Sequence, residues 1–369
     1  MRSYRPTWAE VNLNALGFNF RKVKAIVGKK TKIMAVVKCD AYGHGLLPIA
    51  KKLNKLGVDY LGVASIDEAI ILRNEKIRLP ILILGNILNK DIAPVIKHGL
   101  SQTVSDYRLA LQLNQKAKIS GKIINIHIKV DTGMGRLGVL HGKAIKFIKD
   151  VLRLSYLKIE GLFTHFPCAD CDPNFTYYQI NIFRQLITDL KKGGIEIPLC
   201  HAANSMGIIG YPESHFNLVR PGLMLYGIYP KPGLNLKLEP VLSLKARIIY
   251  SKRVPSGQGI SYGRKYITKK QTNIALLPIG YGDGYPRNLS NRADVLIKGR
   301  RFRISGTVCM DQITVDVGNL SAEIGDQAVL IGLQGKLKIS AEELARVAKT
   351  IAYEILCGIG SRIPRVYIK

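Results

Sequence analysis

Eight short apolar runs, separated by stretches of helical periodicity, constrain this chain more than any other feature. They are KIMAVVK (32–38), YLGVAS (60–65), ILILG (81–85), SQTVS (101–105), INIHIKVD (124–131), IEGLFTH (159–165), IPLCHAA (197–203) and LVRPG (218–222). Between the first two, Leu46, Leu47, Ile49, Ala50, Leu53 and Leu56 recur at intervals of three and four, which is one face of a helix. Similar faces follow most of the other runs. Continuously apolar strands that alternate with helices require a parallel sheet covered on its outer side. A count of eight favours closure into a (β/α)8 barrel of the TIM type over an open doubly wound sheet.

Beyond Pro230 the texture changes to period-two runs without intervening helices: LSLKARIIYSKRV, TNIALLPIGYG, DVLIKGRRFRISGTV, ITVDVG and QAVLIG. These predict a mostly antiparallel β domain. One helix is expected near its end, where Ser340 and Glu343 form a capping box ahead of Leu344, Val347, Ile351 and Ile355. The expected organisation is α/β, with a barrel over residues 1–235, a C-terminal β domain over 236–369, and a packed junction between them. A length of 369 residues suits two domains, and 47% hydrophobic against 22% charged residues excludes a mainly disordered chain.

Lys and Arg number 55 against 26 Asp and Glu, a formal charge of +29. The positive residues are scattered and carry no aromatic stacking motif, so the reading is a solvated basic surface without specific nucleic-acid binding. No stretch approaches the roughly 18 consecutive apolar residues of a spanning helix, and the N-terminus lacks an apolar signal core. A cytoplasmic protein with no membrane partner is expected. Six cysteines are too few for a disulfide scaffold. The CxxC of Cys168 and Cys171 has no second pair to complete four ligands, so no metal site is expected.

Reactive groups should collect where barrel strands end. Those ends are polar here: Lys38, Lys129 and Asp131, His165, Asn204 and Ser205, and Arg220. A lysine closing an apolar run, followed by the glycine-bearing DAYGHG loop, reads as an amine whose pKa desolvation lowers, suited to Schiff-base chemistry. Ser205 and the Gly222-Leu223 pair occupy the loops where such barrels bind phosphate. A sugar-phosphate aldolase and a pyridoxal phosphate enzyme both satisfy these residues.

The ordered motifs resemble alanine racemase, the fold-type III pyridoxal phosphate family, over essentially the whole length. AVVKCDAYGHG (35–45), KVDTGMGRLG (129–138), THF (164–166), HAANS (201–205) and VRPGLMLYG (219–227) follow in the family's order. In the β domain come ISYGRKY (260–266), GYGDGYPR (280–287), GTVCMDQITVDV (306–317) and YEILCGIGSRIPRVY (353–367). The resemblance implies racemisation of L- and D-alanine by two bases, with D-alanine supplied for peptidoglycan, and a homodimer with shared active sites. A broader amino-acid racemase is the alternative.

By the same resemblance Lys38 binds pyridoxal 5'-phosphate and acts as base on one face of the substrate. Tyr262 of the partner subunit acts on the other. Arg220 contacts the pyridine nitrogen, and His165 hydrogen-bonds to Arg220. Arg136 reaches the cofactor hydroxyl and the substrate carboxylate, held by a Lys129 that many members carbamylate. Tyr42, Ser205, Gly222, Leu223 and Tyr353 hold the phosphate. Met310 and Asp311 approach the substrate from the other subunit, and Tyr281 with Tyr353 narrows the entrance. FPCAD (166–170) departs from the family pattern at Pro167.

Overall fold

The computed structural model describes residues 4–369. Strand β1 (Thr7–Asn12) comes first, followed by β2 (Lys32–Val36), β3 (Tyr60–Val63), β4 (Ile81–Ile83), β5 (Ser101–Val104), β6 (Ile124–Asp131), the short β7 (Val139–Leu140), β8 (Leu157–Phe163), β9 (Leu199–His201) and β10 (Leu218–Val219). The eight apolar runs form one parallel sheet in the order β10-β2-β3-β4-β5-β6-β8-β9, with β7 beside β6. At the remaining seam the Asn217 N–H donates to the Cys200 carbonyl (3.3 Å) and the Arg220 N–H to the Ala203 carbonyl (2.9 Å). The barrel is thus nearly closed. Its strands are buried on both faces, as parallel strands under a helical coat must be.

The helices of the coat start where short polar side chains satisfy their free N–H groups. Asp106 accepts from Arg108 and Leu109, Asp172 from Phe175, and Ser65 from Glu68. In the helix Leu46–Lys55 the apolar stripe faces inward, with Leu46, Ile49, Ala50 and Leu53 buried.

The second domain contains β11 (Leu242–Arg247), β12 (Tyr250–Val254), β13 (Gly259–Ile260), β14 (Tyr266–Ile267), β15 (Thr272–Leu277), β16 (Asp294–Ile297), β17 (Arg300–Arg303), β18 (Ile313–Gly318), β19 (Gln327–Gln334), β20 (Leu337–Ile339) and β21 (Arg365–Ile368). One sheet runs β17-β16-β19-β11-β1-β21 with β20 on β19, a second β12-β15-β18, and a third β13-β14. The pairing is antiparallel apart from β1 with β21.

Two features depart from the sequence reading. Residues 7–12, expected within the barrel segment, pair with β11 and β21 in the other domain. The cause is visible in TWAEVN, whose alternate positions are buried, a pattern that suits a sheet covered on one face. The expected single C-terminal helix is two, Ala341–Ala348 and Ala352–Gly358, divided by Lys349 in a left-handed cap (φ 57°). Ser340 caps the first by accepting from the Glu343 N–H, as its spacing predicted.

The connection between barrel and β domain is clamped. The Asn19 side chain donates to the Leu225 and Glu239 carbonyls (3.0 and 2.7 Å) and accepts from the Glu239 N–H (2.8 Å).

Candidate active site

A cavity of about 390 Å³ opens at the carboxyl ends of the barrel strands. Eleven residues singled out in the sequence line it: Lys38, Tyr42, Lys129, Arg136, His165, Asn204, Ser205, Arg220, Gly222, Leu223 and Tyr353. Among the described residues no Asp or Glu lines it, whereas Lys38, Lys129, Arg136 and Arg220 bring four cationic groups.

Lys38 is presented by an unusual turn. The next four residues, 39–42, are all left-handed, with φ between 51° and 56°. Such backbone costs about 1–2 kcal/mol per residue for side chains bearing a Cβ, so its surroundings must hold it. Glu68 does so: Oε1 accepts from the Cys39 N–H (2.5 Å) and the Asp40 N–H (3.4 Å), while Oε2 accepts from the Ala64 N–H (2.8 Å). Asp40 accepts from the Leu46 N–H (2.7 Å). Tyr42 stacks on Tyr226 at 4.8 Å between ring centres and leans on Tyr353 at 5.8 Å. Gly43 lies so close to the C-terminal helix that a Cβ would stand 2.3 Å from the Leu356 carbonyl.

Burial, and next the charge of Arg136, lowers the Lys38 pKa from its ordinary value. Burial together with Arg220, Arg136 and Lys38 brings Lys129 down to about 8. Crowding cations in a space screened from water favours the neutral amines. Arg136 follows a loop wound around Asp131, whose carboxylate accepts from the N–H groups of Gly133 (2.8 Å), Met134 (2.8 Å) and Gly135 (3.0 Å). Burial works to raise that carboxyl, and these bonds hold it below its ordinary value.

Arg220 is buried, and its guanidinium is spoken for. Nη2 donates to the carbonyls of Thr164 (2.7 Å) and Ala202 (2.9 Å) and lies 3.3 Å from His165 Nδ1. Nη1 lies 2.7 Å from His201 Nδ1. Partial burial and the neighbouring cations, Arg220 first, hold the His165 ring well below its ordinary pKa and thus neutral. Ser205 Oγ accepts from the Gly222 and Met224 N–H groups (3.1 and 3.2 Å), which fixes the loop after β10. A Cβ on Gly222 would stand 2.5 Å from the Tyr42 hydroxyl.

Tyr262, Tyr281, Met310 and Asp311 do not line this cavity. They share an exposed face of the β domain, gathered by the 307–311 segment: Thr307 Oγ1 donates to the Tyr262 carbonyl (2.8 Å) and the Tyr281 N–H to the Cys309 carbonyl (2.9 Å). Arg362 pairs with Asp311 at 2.6 Å. Tyr262 is 72% exposed. The sequence reading missed Glu68, although Ser65 and Glu68 have the spacing of a capping box. It also gave no role to His127, Glu160 or His201, which it counted as strand positions.

Residues 11–230 match the model of the alanine racemase N-terminal domain, and residues 241–367 that of the C-terminal domain. Alanine racemase of Halothermothrix orenii is 49% identical over 370 residues, spanning 99% of this chain and 98% of that protein. That of Carboxydothermus hydrogenoformans is 45% identical over 99% of this chain and 100% of its own. Among solved structures, alanine racemase of Clostridium difficile 630 superposes with a TM-score of 0.94 at 40% identity, covering 100% of this chain and 97% of its own. The Bacillus anthracis alanine racemase with bound L-Ala-P gives 0.93 at 37%, covering 100% and 96%. With both domain models matched along the length and the strand-end residues gathered in one cationic cavity, the chain belongs to the alanine racemase family, whose members depend on pyridoxal phosphate.

Proposed function

We propose that this chain racemises alanine with two bases, Lys38 of one subunit and Tyr262 of the partner subunit, in a homodimer with shared active sites. The observation that carries the reading is the cavity lining, four cationic side chains and no carboxylate. Such a lining calls for an anionic occupant. Pyridoxal 5'-phosphate fits it, bringing a phosphate and a phenolic oxygen, and an amino-acid substrate adds a carboxylate.

When bound, the cofactor supplies a conjugated electron sink for the substrate α-carbon. The protein does the rest. Lys38 Nζ, with its lowered pKa, takes or returns the α-proton on one face. The Tyr262 hydroxyl serves the opposite face; its exposure and its absence from its own chain's cavity support use in the partner's site. Arg220 would lie beside the ring nitrogen and, because a guanidinium stays charged, would disfavour a proton there. A weak sink leaves little time for side reactions and suits direct proton exchange.

Tyr42, Ser205, Gly222, Leu223 and Tyr353 hold the phosphate. Arg136 binds the cofactor hydroxyl and the substrate carboxylate, and a carbamylated Lys129 pairs with Arg136. Met310 of the partner subunit offers its backbone amide to the carboxylate, with the partner's Asp311 beside it. Tyr353 and the partner's Tyr281 narrow the entrance. The family resemblance supports a cytoplasmic role supplying D-alanine for peptidoglycan.

Mixing two inactive variants tests the shared site. Lys38→Ala and Tyr262→Phe chains, each inactive alone, should recover about a quarter of wild-type activity when co-refolded, because half the dimers then hold one intact site. No recovery, with mixed dimers demonstrated by mass spectrometry, contradicts the proposal.

A further inference from the structure

Beyond the cavity, four side chains form a single file of hydrogen bonds through the barrel interior. Arg220 Nη1 lies 2.7 Å from His201 Nδ1, His201 Nε2 lies 2.9 Å from His127 Nδ1, and His127 Nε2 lies 3.1 Å from Glu160 Oε2. Both imidazoles are fully buried. Glu160 also receives the hydroxyls of Ser101 (2.9 Å) and Tyr60 (3.2 Å) and the Asn125 amide (3.4 Å). Ser101 and Tyr60 are the first residues of β5 and β3, so the file ends at the opposite end of the barrel from the cavity.

The protons along this file have one consistent arrangement. A guanidinium only donates, so His201 Nδ1 accepts and its hydrogen sits on Nε2. That hydrogen points at His127 Nδ1, which therefore accepts, leaving the His127 hydrogen on Nε2 to be donated to the Glu160 carboxylate. A further proton on His127 would set two N–H groups face to face across 2.9 Å, and one on His201 would set an N–H against the guanidinium across 2.7 Å. Burial, with the Arg220 charge adding to it, keeps both rings below their ordinary pKa. Burial works to raise the Glu160 carboxyl, but the bonds it accepts hold it below its ordinary value. A cation and an anion are thus joined through two neutral rings whose dipoles all point the same way, an arrangement in which each bond polarises the next.

The fold reserves space for this file. A Cβ at Gly161 would stand 2.2 Å from His127 Nδ1, so the ring can occupy its place only beside a glycine. His201 is further fixed by a parallel stack on Phe163, 4.7 Å between ring centres and 3° between planes.

We propose that Glu160 is a positioning residue for Arg220. Its carboxylate holds the His127 hydrogen on Nε2 and so, from the far end of the file, reinforces the lone pair that His201 turns toward the guanidinium. The consequence for turnover rests on the proposed contact of Arg220 with the cofactor; the relay itself does not.

The test is 15N NMR of the histidine rings in uniformly labelled holoenzyme, wild type, Glu160→Gln, Glu160→Ala and Gly161→Ala. In the wild type both His127 and His201 should be neutral with the hydrogen on Nε2. Glu160→Gln retains an acceptor of the same shape and should keep those signals. Glu160→Ala and Gly161→Ala should release the His127 hydrogen to either nitrogen and thereby displace the His201 ring signals, although neither residue hydrogen-bonds to His201. In Glu160→Ala kcat should also fall about tenfold, with KM for alanine changed less than about threefold. Unchanged His201 signals in Glu160→Ala, or a wild-type His201 carrying its hydrogen on Nδ1 or on both nitrogens, overturn the proposal. Shifted signals in a protein that does not racemise alanine uphold the relay and contradict the proposed function instead.

Discussion

The Glu68 carboxylate holds the backbone N–H of Cys39 at 2.5 Å, tying the residue beside Lys38 to the helix that follows β3. One side chain so restrains a run of four left-handed residues that the local sequence alone would not adopt. Glu68→Ala leaves the N–H groups of Cys39, Asp40 and Ala64 without this acceptor. It should destabilise the protein by about 1–3 kcal/mol in urea unfolding, and weaken pyridoxal phosphate binding, because unmade hydrogen bonds carry a desolvation penalty. A Glu68→Ala protein with unchanged midpoint and cofactor affinity removes Glu68 from this role.

Gly222 is a second close approach. Adding a methyl there forces the Tyr42 hydroxyl to move, since the Cβ would lie 2.5 Å from it. Gly222→Ala should raise the pyridoxal phosphate dissociation constant about tenfold or more while the protein stays folded, an overpacking effect of the usual size. Equilibrium dialysis of the cofactor checks it.

Acid should destabilise the fold in a defined window. His44, His127, His201 and His215 are all kept below their ordinary value of 6.5 by burial first, with His44 down at about 4. In the unfolded chain each binds a proton as the pH falls through 6.5, and in the folded chain only at lower pH. The unfolded state therefore holds more protons below 6.5, and stability declines by about 1.4 kcal/mol per pH unit for each histidine until its folded pKa is passed. Above 6.5 their contribution is fully present. Calorimetric melting between pH 4.5 and 8 should show a falling Tm only on the acid side; a flat profile contradicts the buried neutral rings.

Lys129 gives a dependence of the opposite kind. Carbamylation needs a neutral amine, and with its pKa near 8 the neutral fraction rises as the pH climbs through that value. Protein held in carbon dioxide-free buffer at pH 8 should lose activity several-fold and regain it on adding bicarbonate, and mass spectrometry should find the added carboxyl group on Lys129. Full activity with an unmodified Lys129 removes the carbamate from the account.

Much of this was legible from the residues. Continuous apolar runs marked the barrel because its strands are buried on both sides, and polar residues at their ends marked the cavity because little else brings Lys38, Lys129 and Arg220 to the ends of apolar segments. Less legible was whatever depended on pairing across long distances. TWAEVN carries the alternation of a half-covered strand, yet only its partners β11 and β21 reveal the domain it joins. The break at Lys349 has no glycine or proline to announce it. His127 and Glu160 sit inside strands, where a polar residue is noticed only once its partner across the barrel is known.

The most direct test follows the substrate proton. Holoenzyme incubated with L-alanine in deuterated water should produce D-alanine carrying solvent deuterium at the α-carbon, read by chiral chromatography and mass spectrometry. Two bases on opposite faces also predict that Tyr262→Phe slows racemisation by about 10²–10⁴-fold while Lys38 still exchanges the α-hydrogen of the enantiomer on its own face. Pyridoxal phosphate bound, with no D-alanine formed and no deuterium incorporated by the wild-type protein, would contradict the central claim.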